Sequence, residues 1–168
     1  MKKLKQYKYE RYAILCQIAY PSGYQPEIDF SDFEQVEIFD RFKVSCVRIL
    51  WQSSKKEVVV VFRGSHNLYD WLLNMCCFKS KVTDSERQFY IHWGVKKLLQ
   101  QPSFLYEEST AAKPLEKNVL EVLQPLIDEG KKITFIGHST GGSLAVLCAD
   151  KMNQQKSTQV KRVVTFGQ

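Results

Sequence analysis

Four consecutive valines, Val58 to Val61, closed by Phe62, constrain this chain more than any other feature. A strand with one wet face alternates apolar and polar side chains. An unbroken β-branched run instead marks a strand covered on both faces, as in a parallel sheet packed between helices. Two further apolar, strand-like runs follow, Ile133 to Ile136 and Val163 to Phe166. Helical patterns lie between them: Ile91 to Gln100, Leu115 to Glu129, and Thr140 to about Asn153. Strands alternating with helices predict βαβ units and an α/β fold, with helices on both faces of a mostly parallel sheet.

The N-terminal third reads differently. Lys5 to Tyr20 is patterned as an amphipathic helix stopped by Pro21 and Gly23. Phe33 to Phe39 and Lys43 to Trp51 are β-rich and flank Asp40-Arg41, which predicts an antiparallel hairpin. In the Leu115 to Glu129 helix, Leu115, Val119, Leu123, Leu126 and Ile127 share one face. Pro114 suits its first turn and Gly130 its end; Pro125 is expected to kink or break it. Gln101 to Lys113 is the one long loop, and residues 1–168 read as a single, partial domain.

Composition narrows the function classes. Apolar residues make up 44% and charged residues 25%, ordinary for a globular domain, and no apolar run is long enough to span a bilayer. The lysine-rich start is followed by a short apolar stretch broken by Gln17, with no small-residue cleavage site. That predicts a mature helix and a cytoplasmic location. The five cysteines are irregularly spaced, without a CxxC pair, so free thiols are expected and no metal site. A net charge of +6 is scattered in short lysine pairs. Without a basic stripe interleaved with aromatics, nucleic acid is not an expected partner. Weak attraction to anionic membrane surfaces stays open.

Chemistry concentrates at Gly137-His138-Ser139-Thr140-Gly141, a G-x-S-x-G set between a buried strand and a helix rich in small residues. In a nucleophile elbow the serine occupies a strained turn that lifts its hydroxyl above the sheet. Gly137 and Gly141 remove side chains that would collide across the turn, and the helix N-terminus aims backbone N–H groups where negative charge develops. A phosphate loop is excluded because no Gly-Lys-Ser/Thr follows, and a dinucleotide loop because no G-x-G-x-x-G is present.

From Glu57 onward several short segments stand out in order: Phe62-Arg63-Gly64-Ser65 at a strand end, Asp70-Trp71, His92-Trp93-Gly94-Val95, Gly137 to Ala145, and Thr165-Phe166-Gly167-Gln168. In these segments the sequence resembles the class 3 lipases, the fungal-type triacylglycerol lipases and their bacterial relatives, whose patterns in the same order are F-R-G-T/S, D-W, H-x-G-F/V, G-H-S-x-G-G-x-L-A and T-F-G-x-P. The resemblance implies an α/β-hydrolase fold and carboxylic ester hydrolysis with Ser139 as nucleophile and no cofactor. It implies that Ser65 and Thr140 supply the oxyanion-hole N–H groups. It also implies that His66 to Phe78 forms or borders a lid, whose Leu68, Trp71 and Leu72 face lipid or pack in the core. Lipid or small-ester substrates, and a lipid surface as partner, follow from the same likeness.

One part of the pattern departs. The hydrolase chain order is Ser, then Asp or Glu, then His. Only Asp150 is acidic after Ser139, and the three histidines, His66, His92 and His138, all precede it. His138 is expected to turn away from Ser139, His92 to be structural, and His66 to lie at the oxyanion rim. The chain ends at Gln168, just after a strand-like run and inside a family motif, so the expectation is a domain whose last strands, Asp and His are missing. The alternatives are an inactive lipase remnant that binds acyl chains or, more weakly, a basic membrane-surface module.

Overall fold

The computed structural model of the chain describes residues 2–20, 31–40, 45–65, 79–83, 88–99, 104–105, 115–116, 118–154 and 159–167. Helix α1 (Lys2–Ile18) comes first. Strands β1 (Glu34–Phe39), β2 (Ser45–Trp51) and β3 (Glu57–Phe62) follow as an antiparallel meander. Strands β4 (Lys79–Thr83) and β5 (Gln88–His92) pair as a separate hairpin, and β5 leads directly into α2 (Trp93–Leu99). Two short strands, β6 (Phe104–Leu105) and β7 (Leu115–Glu116), precede α3 (Val119–Asp128). Strand β8 (Lys132–His138), helix α4 (Thr140–Gln154) and strand β9 (Val160–Phe166) complete the fold.

The main sheet has the order β7-β6-β1-β2-β3-β8-β9. Its β3-β8-β9 part is parallel, while the pairings from β7 through to β3 are antiparallel. Side chains alternate across a strand, so the four-valine run feeds two layers. Val58, Val60 and Phe62 pack with Leu123 and Leu126 of α3 and with Ala145, Cys148, Ala149 and Met152 of α4. Val59 and Val61 meet Tyr12, Leu15, Cys16 and Ile18 of α1 on the opposite face. Helices thus cover both faces, as the run requires.

A polar network fastens α1 at the start of β3. Glu57 accepts hydrogen bonds from Thr134 Oγ1 at 2.7 Å, Lys161 Nζ at 2.6 Å and the Tyr12 hydroxyl at 3.4 Å. Burial, reinforced by the Glu57 carboxylate, raises the Tyr12 pKa. Glu57 therefore joins β3, β8, β9 and α1 below the parallel strands.

Several elements differ from the sequence expectation, for local reasons. Leu115 and Glu116 form β7 against β6, so α3 begins four residues later than the apolar periodicity suggests. Asn118 starts it with a capping box: its Oδ1 accepts from the N–H groups of Leu120 and Glu121, while the Glu121 carboxylate accepts from the Asn118 N–H. Pro125 lies inside α3 and does not break it, and Pro114 lies outside the described residues. Ile91 and His92 end a strand and do not begin a helix. The expected long loop contains β6, which pairs with β1. Among the described strands, β9 lies at one edge of the sheet and is less covered than its sequence suggests, with Val163 36% exposed. Among the described residues, no helix is long and apolar enough to cross a membrane.

Two measurements test this packing. Phe135→Ala removes a fully buried ring from the layer under α3 and α4; urea unfolding should show a loss of about 3–5 kcal/mol. The exposed Val146→Ala should change stability by less than about 0.5 kcal/mol. The second concerns Cys16 and Cys148, whose thiols burial pushes up from 9.0 to about 12. The unfolded chain releases these protons first, so their contribution to stability is intact below pH 9 and declines as pH rises toward 12. Replacing both cysteines with alanine should flatten that alkaline decline in urea titrations.

Candidate active site

The site is built where the parallel strands end. Strand β8 runs to His138, the chain turns at Ser139, and α4 begins at Thr140. Ser139 has φ 52°, the left-handed region that L side chains rarely adopt. That conformation costs about 1–3 kcal/mol and persists only where its surroundings enforce it. Two backbone hydrogen bonds do so: the Ser139 N–H donates to Phe166 O on β9, and the Gly142 N–H donates to Ser139 O, both at 2.8 Å.

The small residues explain the sharpness of the turn. A Cβ on Gly137 would overlap the Gly141 carbonyl and approach the Gly142 nitrogen to 2.6 Å. A Cβ on Gly141 would overlap the Phe62 carbonyl at the end of β3. The first turn of α4 therefore lies directly against β8 on one side and β3 on the other. This approach carries Thr140 to the segment after β3, where Ser65 Oγ and Thr140 Oγ1 are 3.0 Å apart. Residues 75 positions apart in sequence meet because two side chains are absent.

The segment after β3 is anchored by charge. Arg63 is 6% exposed and Asp40 8%. Arg63 Nη2 lies 3.4 Å from Asp40 Oδ2, Nη1 donates to Ser45 O at 2.7 Å, and Nε donates to Gly64 O at 3.3 Å. A buried guanidinium is tolerated only when its donors are satisfied by such partners. From the other face, the Tyr20 hydroxyl sits where a Gly64 Cβ would lie and is 2.9 Å from His138 Nδ1. Burial raises the Tyr20 pKa, partly offset by a hydrogen bond from the Gly64 backbone.

The structure thus brings together five residues singled out from sequence: Ser139, Thr140, Ser65, Gly137 and Gly141. His66, Leu68, Trp71 and Leu72 lie outside the described residues. His138 is exposed and engaged by Tyr20. His92 is half-buried, and its Nδ1 accepts from the Gly94 N–H at 3.1 Å, fixing the junction of β5 and α2. Asp150 accepts from Gln154 Nε2 and lies about 15 Å along α4 from Thr140. Sequence reasoning missed Arg63, Asp40 and Tyr20 as parts of the site. A charged residue directly after a fully buried strand was the available signal for Arg63. Among the described residues, no group of three or more His, Cys, Asp or Glu is placed to hold a metal ion.

A parallel strand, a strained serine and a closely packed helix define the α/β-hydrolase class of fold. The sequence model of the lipase (class 3) family matches residues 59–168, and the chain belongs to that family. No curated protein sequence matches it. Among solved structures, a fungal lipase–inhibitor complex studied for interfacial activation is 19% identical with a TM-score of 0.64, covering 93% of this chain and 57% of that one. The Rhizomucor miehei triacylglyceride lipase is 17% identical with a TM-score of 0.62, over 97% and 61% of the two chains. A triacylglycerol lipase described as having a serine protease triad is 17% identical with a TM-score of 0.57, over 92% and 57%. At these identities the likeness concerns the fold. The chain spans about three fifths of the length of these lipases.

The close approach of α4 is directly testable. Gly137→Ala forces a methyl group into the Gly141 carbonyl and should cost about 1–3 kcal/mol in urea unfolding.

Proposed function

We propose that this chain carries the nucleophile and oxyanion hole of a lipase-type serine ester hydrolase acting on lipid esters. In this reading Ser139 Oγ attacks the ester carbonyl carbon and passes its proton to a general base. The carbonyl oxygen becomes an oxyanion held by the N–H groups of Ser65 and Thr140. Collapse breaks the bond to the alcohol, which leaves with the proton, and water then releases the acid from Ser139. The observation that carries the reading is the meeting of Ser65 with Thr140, 3.0 Å between hydroxyl oxygens, beside the strained Ser139. Membership of the class 3 lipase family supports lipid esters as the substrate class. Leu68 and Leu72 are the proposed lipid-facing residues, Trp71 is assigned to the core beside them, and His66 is the proposed rim residue. We assign the base to none of the three histidines, since each precedes Ser139.

Oxyanion stabilisation and binding alone leave about 10³–10⁴-fold acceleration when a triad is dismantled, so a site made of these residues is expected to react measurably once a base is supplied. A fluorophosphonate probe with added imidazole as soluble base tests for it. Serine oxygen displaces fluoride from phosphorus, and imidazole takes the serine proton. Labelling at one site, abolished in Ser139→Ala, is the expected outcome. Labelling that survives in Ser139→Ala, or no labelling of the folded chain, would overturn the proposal.

A further inference from the structure

The geometry points to Arg63 as a positioning residue that aims the Ser65 N–H into the oxyanion hole by gripping the Gly64 carbonyl. This rests on the assignment of Ser65 as an oxyanion donor. The Gly64 carbonyl and the Ser65 N–H belong to the same peptide unit, which is planar, so the two groups point in opposite directions. Fixing the carbonyl therefore fixes the direction of the N–H. Arg63 Nε donates to Gly64 O at 3.3 Å, while Nη1 and Nη2 are tied to Ser45 O and Asp40 on the β1–β2 side of the sheet. The guanidinium is rigid and planar, so its anchorage at Ser45 and Asp40 sets where Nε points. Charge-assisted hydrogen bonding at the carbonyl also polarises the amide and makes its N–H a stronger donor. Behind Gly64, the Tyr20 hydroxyl fills the place a Cβ would take and accepts a hydrogen bond from the Gly64 N–H, which holds the residue from its other side. Hydrophobic residues of the same volume would fill the space around Arg63 equally well, but none would orient that peptide.

The test separates positioning from folding. Fluorophosphonate labelling in imidazole is compared with labelling by the analogue carrying P=S in place of P=O. Sulfur fits poorly among N–H donors placed for oxygen, so a working oxyanion hole favours the oxo probe. The ratio of the two rates is insensitive to the fraction of chain folded. Arg63→Lys keeps the charge beside Asp40 but loses the planar fork. It should lower the oxo/thio ratio by about ten-fold or more, within the 10²–10³-fold effect of losing one donor. Asp40→Asn, an isosteric change one step further from Gly64, should lower it by a smaller factor and serves as the deciding variant where Arg63→Lys shows no cooperative thermal unfolding. An unchanged ratio in the folded variant would overturn the role of Arg63. Loss of oxo preference in the wild-type chain would instead overturn the oxyanion assignment itself.

Discussion

The closeness of α4 to the ends of β3 and β8 governs everything else at this site. A helix packed on a sheet through ordinary side chains is held off the strand backbone by those side chains. Here the first turn of α4 touches strand backbone, because Gly137 and Gly141 present no Cβ to hold it off. That contact forces Ser139 into its left-handed conformation and brings Thr140 to Ser65. The strain at Ser139 is small beside the burial of Ala145, Cys148, Ala149 and Met152 behind it, each such side chain contributing on the order of 1 kcal/mol or more. The packing of the rest of α4 therefore holds the turn in place.

A second layer of support comes from elements without chemistry of their own. Helix α1 closes one face of the sheet through an apolar stripe; Tyr12 pins it at Glu57, and Tyr20, just past its end, meets Gly64 and His138. The antiparallel strands contribute Asp40 and the Ser45 carbonyl, which hold Arg63. The N-terminal third of the chain thus reaches the site through Tyr20 and through the buried Asp40–Arg63 pair, although none of its residues belongs to the strand–elbow–helix unit.

Features encoded by local pattern were readable in the sequence. Four adjacent valines require cover on both faces, and the structure supplies α1 on one and α3 with α4 on the other. The Gly-His-Ser-Thr-Gly turn needs the strand before it and the helix after it, and both are present. Tertiary features were not readable in this way. Nothing local links Asp40 to Arg63 or Tyr20 to His138; both pairs exist because the sheet order makes distant segments neighbours. The hairpin of β4 and β5 was missed because Tyr90 is 67% exposed and its strands lack an apolar run. The start of α3 was misplaced because Leu115 continues the helical spacing, while Asn118 and Glu121 offer a better start by satisfying backbone N–H groups.

A crystal structure of the chain with a phosphonate bonded to Ser139 measures most directly whether β3 and the elbow form one oxyanion hole. The phosphoryl oxygen is expected about 2.7–3.1 Å from the backbone nitrogens of both Ser65 and Thr140. An oxygen turned to solvent, or a Ser65 nitrogen out of reach of it, would contradict the account.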